Sequence, residues 1–187
     1  MPFSRESVEY YSRRSQQLEN CKKQTRIGIF GSFHGPRKAA LVALKKYLLE
    51  NGYNARISED LDKRPEKDRK KIDPTYDRRL SEKLLQESDI HIFVLPREQV
   101  DEPSNLIQSV SMEIERLHTL SECGRMSEKY VAVYLETGLT GTMGGVCEGL
   151  LASKKGDWSV QEFDDPREIF KPARQFCTKC IQDMYSF

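Results

Sequence analysis

Short runs that are apolar along their whole length alternate, in this chain, with longer stretches in which apolar residues recur every three or four positions. The first pattern suits strands buried on both faces and the second suits helices with one buried side. Five runs read as strands: "RIGIF" (26–30), "YNARIS" (53–58), "IHIFVLP" (90–96), "YVAVYLE" (130–136) and "WSVQEF" (158–163). Helices fill the intervals. One runs over 35–51, with Leu41, Leu44 and Leu48 on one face and Gly52 as terminator. A second is capped by Asp73 and started by Pro74, a third covers 106–121, a fourth 141–153 and a last 165–184. Strands joined by crossover helices predict an α/β fold: a three-layer, flavodoxin-like open sheet of about five mostly parallel strands.

Ahead of this pattern, residues 1–25 form a helical extension, with Ser4 as its cap and Val8, Tyr11, Ser15 and Leu18 along one thin stripe. Residues 26–187 then make a single α/β domain. The stretch "EDLDKRPEKDRKKI" (59–72) is too charged to be buried and reads as a long exposed loop or lid.

Composition narrows the class. Charged residues make up 32% and hydrophobic ones 37%, but the latter come in blocks, so the chain is globular rather than disordered. Thirty Lys and Arg against 29 Asp and Glu leave a net charge of +1, which supplies no field for a dedicated nucleic-acid binder. No stretch has signal-peptide or membrane-spanning character, so a cytoplasmic location is expected. Five cysteines, three of them isolated, suit reduced thiols. Cys177 and Cys180 have a metal-like spacing without two further ligands and read as ordinary helix residues; no residue is assigned to a metal, and no resident cofactor is expected.

Open parallel sheets bind ligands at the carboxyl ends of their strands, where the winding direction reverses, here between the first and third strands. The first strand breaks there into Gly31, Ser32, Phe33, His34, Gly35 and Pro36 before a helix whose first turn carries Arg37. Free backbone N–H groups at that helix start favour an anion or polar ligand, Ser32 and His34 supply hydrogen bonds, and Phe33 supplies a stacking face. A plain tight turn, with His34 at the surface, is the competing reading. The helix after the third strand contributes a carboxylate. Leu106, Ile107, Val110, Ile114 and Leu117 share one face; Glu113 falls about 60° from its centre and Glu115 about 140° away, in solvent. A carboxylate drawn in this way loses water and is poised for acid, base or nucleophilic work; the alternative is an edge group paired with Arg116 or a lysine.

The order of a strand ending in Gly-Ser-Phe, then "SDIHIFVLP", then a loop and a helix with a lone inward Glu resembles the nucleoside 2-deoxyribosyltransferase-like group and the related Toll/interleukin-1 receptor (TIR) domains. The resemblance implies that Glu113 acts on an N-glycosidic bond, as nucleophile or as stabiliser of an oxocarbenium-like sugar. Where those transferases carry Gly-Thr before the glutamate and Gly after it, this chain has Ser109, Val110 and Glu115. "GTMGGVCE" (141–148) also partly resembles a glycine-rich signature of lysine-decarboxylase-like phosphoribohydrolases, with Gly141, Gly144 and Glu148 matching and Thr142 and Gly145 not. The expectation is a protein that binds a nucleoside, nucleotide or NAD-like ligand and cleaves or transfers at its N-glycosidic bond. Glu113 is the catalytic candidate and Glu148 the reserve carboxylate; Gly31, Ser32, Phe33, His34, Gly35, Arg37 and Ser109 are the ligand-binding set. The rival expectation is a non-catalytic, TIR-like or nucleotide-sensing module. Neither involves a membrane, and a homo-oligomer is compatible with both.

Overall fold

A computed structural model of the chain describes residues 5–32, 35–69, 73–95, 97, 106–139, 145–154 and 156–186. Five strands, β1 (Arg26–Gly31), β2 (Asn54–Arg56), β3 (Ile90–Leu95), β4 (Val131–Glu136) and β5 (Ser159–Phe163), form one sheet in the order β2-β1-β3-β4-β5. Every pairing is parallel, with Ile27 opposite Ile90 and Leu95 opposite Leu135. This is the flavodoxin-like three-layer fold. The winding direction reverses between β1 and β3, as the pattern of alternating elements predicted.

Side chains alternate across the sheet because successive Cβ atoms point to opposite faces. Ile27, Ile29, Ile90, Ile92, Val94, Ala132 and Tyr134 enter one core. It is covered by α1 (Arg5–Gln24), α2 (Gly35–Glu50) and α7 (Phe170–Tyr185). Phe30, Phe93, Leu95, Val131, Val133 and Leu135 enter the other, under α4 (Pro74–Glu87), α5 (Leu106–Glu122) and α6 (Gly145–Ser153). His91 lies on this second face, 1% exposed and stacked on Phe30, with Nε2 2.9 Å from the Leu85 carbonyl. Burial lowers its pKa and favours the neutral ring.

Local signals are met at several ends. Asp73 accepts from the Tyr76 N–H at 3.0 Å and Pro74 begins α4. Gly52 closes α2 in the left-handed region at φ +85°, with its N–H on the Leu49 carbonyl. Gly28 is a packing requirement: a Cβ there would lie 2.4 Å from Ser88 Oγ and 2.8 Å from the Phe30 ring.

Two expectations are corrected. On α1, Tyr11 and Ser15 of the expected stripe are exposed, while Leu18 of that stripe, with Cys21, docks the helix on β2 and α7. Residues 9–17 are all exposed, so the stripe is covered only where the end of the helix reaches the domain. The charged stretch 59–72 is also more than an open loop. Its described part holds a 3-10 turn, Ser58–Leu61, and a short helix, α3 (Glu66–Arg69). Opposite charges pin it: Glu59 to Lys38 and Asp60 to Lys45 of α2, both at 2.7 Å, while Arg64 bonds Asp62 at 2.8 Å and stacks on Tyr76 of α4. Arg64 holds the Asp62 carboxyl down at about 2. Among the described residues no helix is long and apolar enough to cross a membrane.

Candidate functional site

At the switch point β1 ends at Gly31 and delivers Ser32, 3% exposed. Gly28 and Phe30 face the α4–α6 layer, and the two-residue period carries Ser32 toward that same side. Gly31 faces the other way, where a Cβ would meet Leu41 at 2.7 Å and the Val94 carbonyl at 3.0 Å. Its missing side chain therefore serves helix packing. Phe33 and His34 lie outside the described residues. Gly35 opens α2.

In the first turn of that helix, Arg37 donates from Nη2 to the Arg97 carbonyl, just beyond β3. The Arg97 N–H in turn donates to Glu136 Oε2, at the end of β4, at 2.7 Å. The Arg97 guanidinium lies across Gly138, 3.2 Å from where a Cβ would stand, and Gly138 has φ +82°. A side chain at that position would both strain the turn and displace the arginine. These bonds link the carboxyl ends of β1, β3 and β4 and bring two guanidinium groups to one rim. Arg97's guanidinium has no ion pair among the described residues.

Glu113 sits two turns into α5 and points at α4, where Ser81 Oγ donates to its Oε1. Val110, Ile114 and Leu117 beside it are fully buried, so the carboxyl is held among apolar groups although the residue's outer edge still meets solvent. Loss of water pushes its pKa up from 4.5 to about 7, against the Ser81 hydrogen bond, which favours the charged form. Such a group exchanges a proton near neutrality, which an exposed glutamate does not do. The pairing with Arg116 or a lysine is not found: Glu113 has no ion pair among the described residues, and Arg116 is exposed.

Other placements differ from the helical-wheel reading. Ser109, one turn before Glu113, is exposed on α5. Glu115, placed in solvent by its angle, is half-buried, with Oε1 shielded and without a hydrogen-bond partner among the described residues. The neighbour that covers it is α6, whose buried Cys147 has its thiol pKa raised by burial, with Glu115 and Glu148 adding to the effect. A wheel drawn for one helix knows the sheet side and is blind to flanking helices. Glu148 is half-buried on α6, on the far side of α5 from Ser81. Cys177 and Cys180 are buried on α7; burial raises both thiols, Cys180 to about 12.

Three residues of this arrangement carry no signal in the sequence. Ser81 is one hydroxyl on an amphipathic helix, and Arg97 and Glu136 gain meaning only because adjacent strands end together. Compared with known proteins, the chain matches no family model, no curated protein and no solved structure. The fold and site together define a flavodoxin-like α/β protein with a desolvated carboxyl group in the layer below its switch-point crevice.

Proposed function

We propose that this protein binds a nucleoside, nucleotide or NAD-like ligand at the carboxyl edge of β1 and β3 and breaks or exchanges its N-glycosidic bond through Glu113. The observation that carries the reading is the Glu113 carboxyl, desolvated on α5 and bonded by Ser81 alone among the described residues. With Ser81 on Oε1, the ionised carboxylate has Oε2 for the sugar C1. Either an ester bond forms there as the C1–N bond breaks, the base leaving with that electron pair and taking a proton from water, or the carboxylate stabilises the developing oxocarbenium ion without bonding; water or a second base then attacks C1, displacing the carboxylate where the ester has formed. Ser32 and the entry to α2 hold the sugar or base, and Arg37 and Arg97 supply positive charge for a phosphate. The resemblance to the nucleoside 2-deoxyribosyltransferase-like and TIR groups supports the same assignment.

Incubation with nucleosides, nucleotides, NAD and ADP-ribose, followed by chromatography, tests it. Free base or nicotinamide should appear with at least one of them and vanish in Glu113→Gln. Release that survives Glu113→Gln removes Glu113 from the reaction. A rise in melting temperature without release favours the sensing module, which Ser109, Val110 and Glu115 around the glutamate also fit.

A further inference from the structure

Five residues beyond Glu113, α5 carries a second group of polar side chains that the proposed reaction does not use. His118 and Glu122 stand at i and i+4, on one face of the helix. The chain then turns through Gly124, at φ +65°, and returns toward β4, which sets Glu128 beside them. One ligand atom from each of the three lies within 4.8 Å of the others. His118 Nδ1 and Glu128 Oε2 are 3.1 Å apart. Zinc–nitrogen and zinc–oxygen bonds of about 2.0–2.2 Å give a tetrahedron with edges of about 3.3–3.5 Å, so that pair already stands close to one edge.

Glu128 is held from outside the group. Lys154, at the end of α6, bonds Oε1, and Trp158 Nε1 donates to the Glu128 carbonyl at 3.1 Å. That leaves Oε2 turned to the histidine. The side chains of Glu128 and His118 are 14% and 27% exposed, so a bound cation would be partly shielded from water. Two carboxylates against one lysine leave a net charge of −1 beside the imidazole, which attracts a divalent cation. Glu128, with Ser121, Lys154 and Trp158, also lines a cavity of about 1080 Å³, which opens that ligand to water. The whole arrangement lies at the amino ends of β4 and β5, on the opposite edge of the sheet from the crevice.

We propose that His118, Glu122 and Glu128 bind one divalent transition-metal ion of the zinc type, with Lys154 fixing Glu128 from behind and water completing the coordination. Outer partners of this kind orient a ligating carboxylate, and three protein ligands with one open position describe an accessible zinc site.

The test uses the full chain stripped with a chelator and titrated calorimetrically with zinc chloride, while cobalt(II) reports coordination through its visible absorption. One equivalent of zinc should bind and raise the melting temperature, and cobalt should give a tetrahedral spectrum. Glu122→Gln, at an exposed position that leaves folding intact, should weaken binding about tenfold or more, and His118→Ala should abolish it. Cys123, exposed and next to Glu122, is the competing zinc ligand, so Cys123→Ser must retain the binding. Absence of zinc binding in the unaltered chain overturns the proposal, as does binding that survives both His118→Ala and Glu122→Gln or is lost in Cys123→Ser.

Discussion

The two faces of the sheet are built to different rules. Under α1, α2 and α7 the buried groups are aliphatic chains, tyrosines such as Tyr53 and Tyr134, and the thiols of Cys177 and Cys180. Burial raises the pKa of Tyr134 and of both cysteines, so all of them stay uncharged at neutral pH. Under α4, α5 and α6 an equally apolar core contains His91 and borders Glu113 and Glu115. A leucine at 113 would pack beside Ile114 and Leu117 without losing hydration of a charge. The carboxyl group destabilises its own layer, and groups held at such a cost are where function concentrates. On the proposed function, the first face serves stability and the second carries the chemistry.

The largest effect that can break this division is kinetic. Glu113→Gln should lower base release by about a thousandfold, on the order of 4 kcal/mol in the barrier. On the other face Leu44→Ala, at a fully buried position of α2, should leave turnover per folded molecule unchanged. Its effect belongs to stability: urea unfolding should show a loss of about 2–5 kcal/mol from the cavity. The division fails if Leu44→Ala cuts turnover while Glu113→Gln does not.

A smaller effect sharpens it, because Glu113→Gln should also stabilise the protein in a pH-dependent way. The unfolded glutamate loses its proton near 4.5, whereas the folded one keeps it until about 7. Between those values the native state binds more protons, so wild-type stability falls as pH rises through the window. Glutamine undergoes no such loss and still accepts from Ser81. At pH 8 the variant should therefore gain up to about 3 kcal/mol relative to its standing at pH 4. Equal differences at the two pH values would mean that the carboxyl is well hydrated.

The smallest expected effect concerns Ser81. Its hydroxyl favours the charged form of Glu113, so Ser81→Ala should push that pKa higher still. If the ionised carboxylate attacks the sugar, the rising limb of the pH–rate profile moves toward alkaline pH by about one unit, roughly the net worth of one such hydrogen bond. An unmoved profile would leave Ser81 as a packing residue.

Much of the architecture was legible residue by residue. Asp73-Pro74 marked the start of α4, Gly52 marked the end of α2, and the unbroken "IHIFVLP" marked a central strand, because caps, terminators and buried strands each depend on neighbours in sequence. Glu113 was legible as inward-facing, since α5 has a broad apolar stripe from which its angle can be measured. Its partner was not. The wheel aimed Glu113 at the sheet, while the structure aims it at Ser81, 32 residues earlier in the chain. Glu115 failed for the same reason, being covered by α6 rather than left in solvent.

The sequence by itself determined the element types, their parallel order and the strand ends that frame the crevice, since hydrophobic period and chain connectivity act locally or through general rules of handedness. Tertiary structure alone decided which polar groups meet: Ser81 with Glu113, Arg37 with Arg97, and His118 with Glu128 and Lys154. Those meetings depend on how helices pack side by side across the sheet. No periodicity encodes the lateral spacing of two helices, so the desolvation that raises the Glu113 pKa exists only once both are in place.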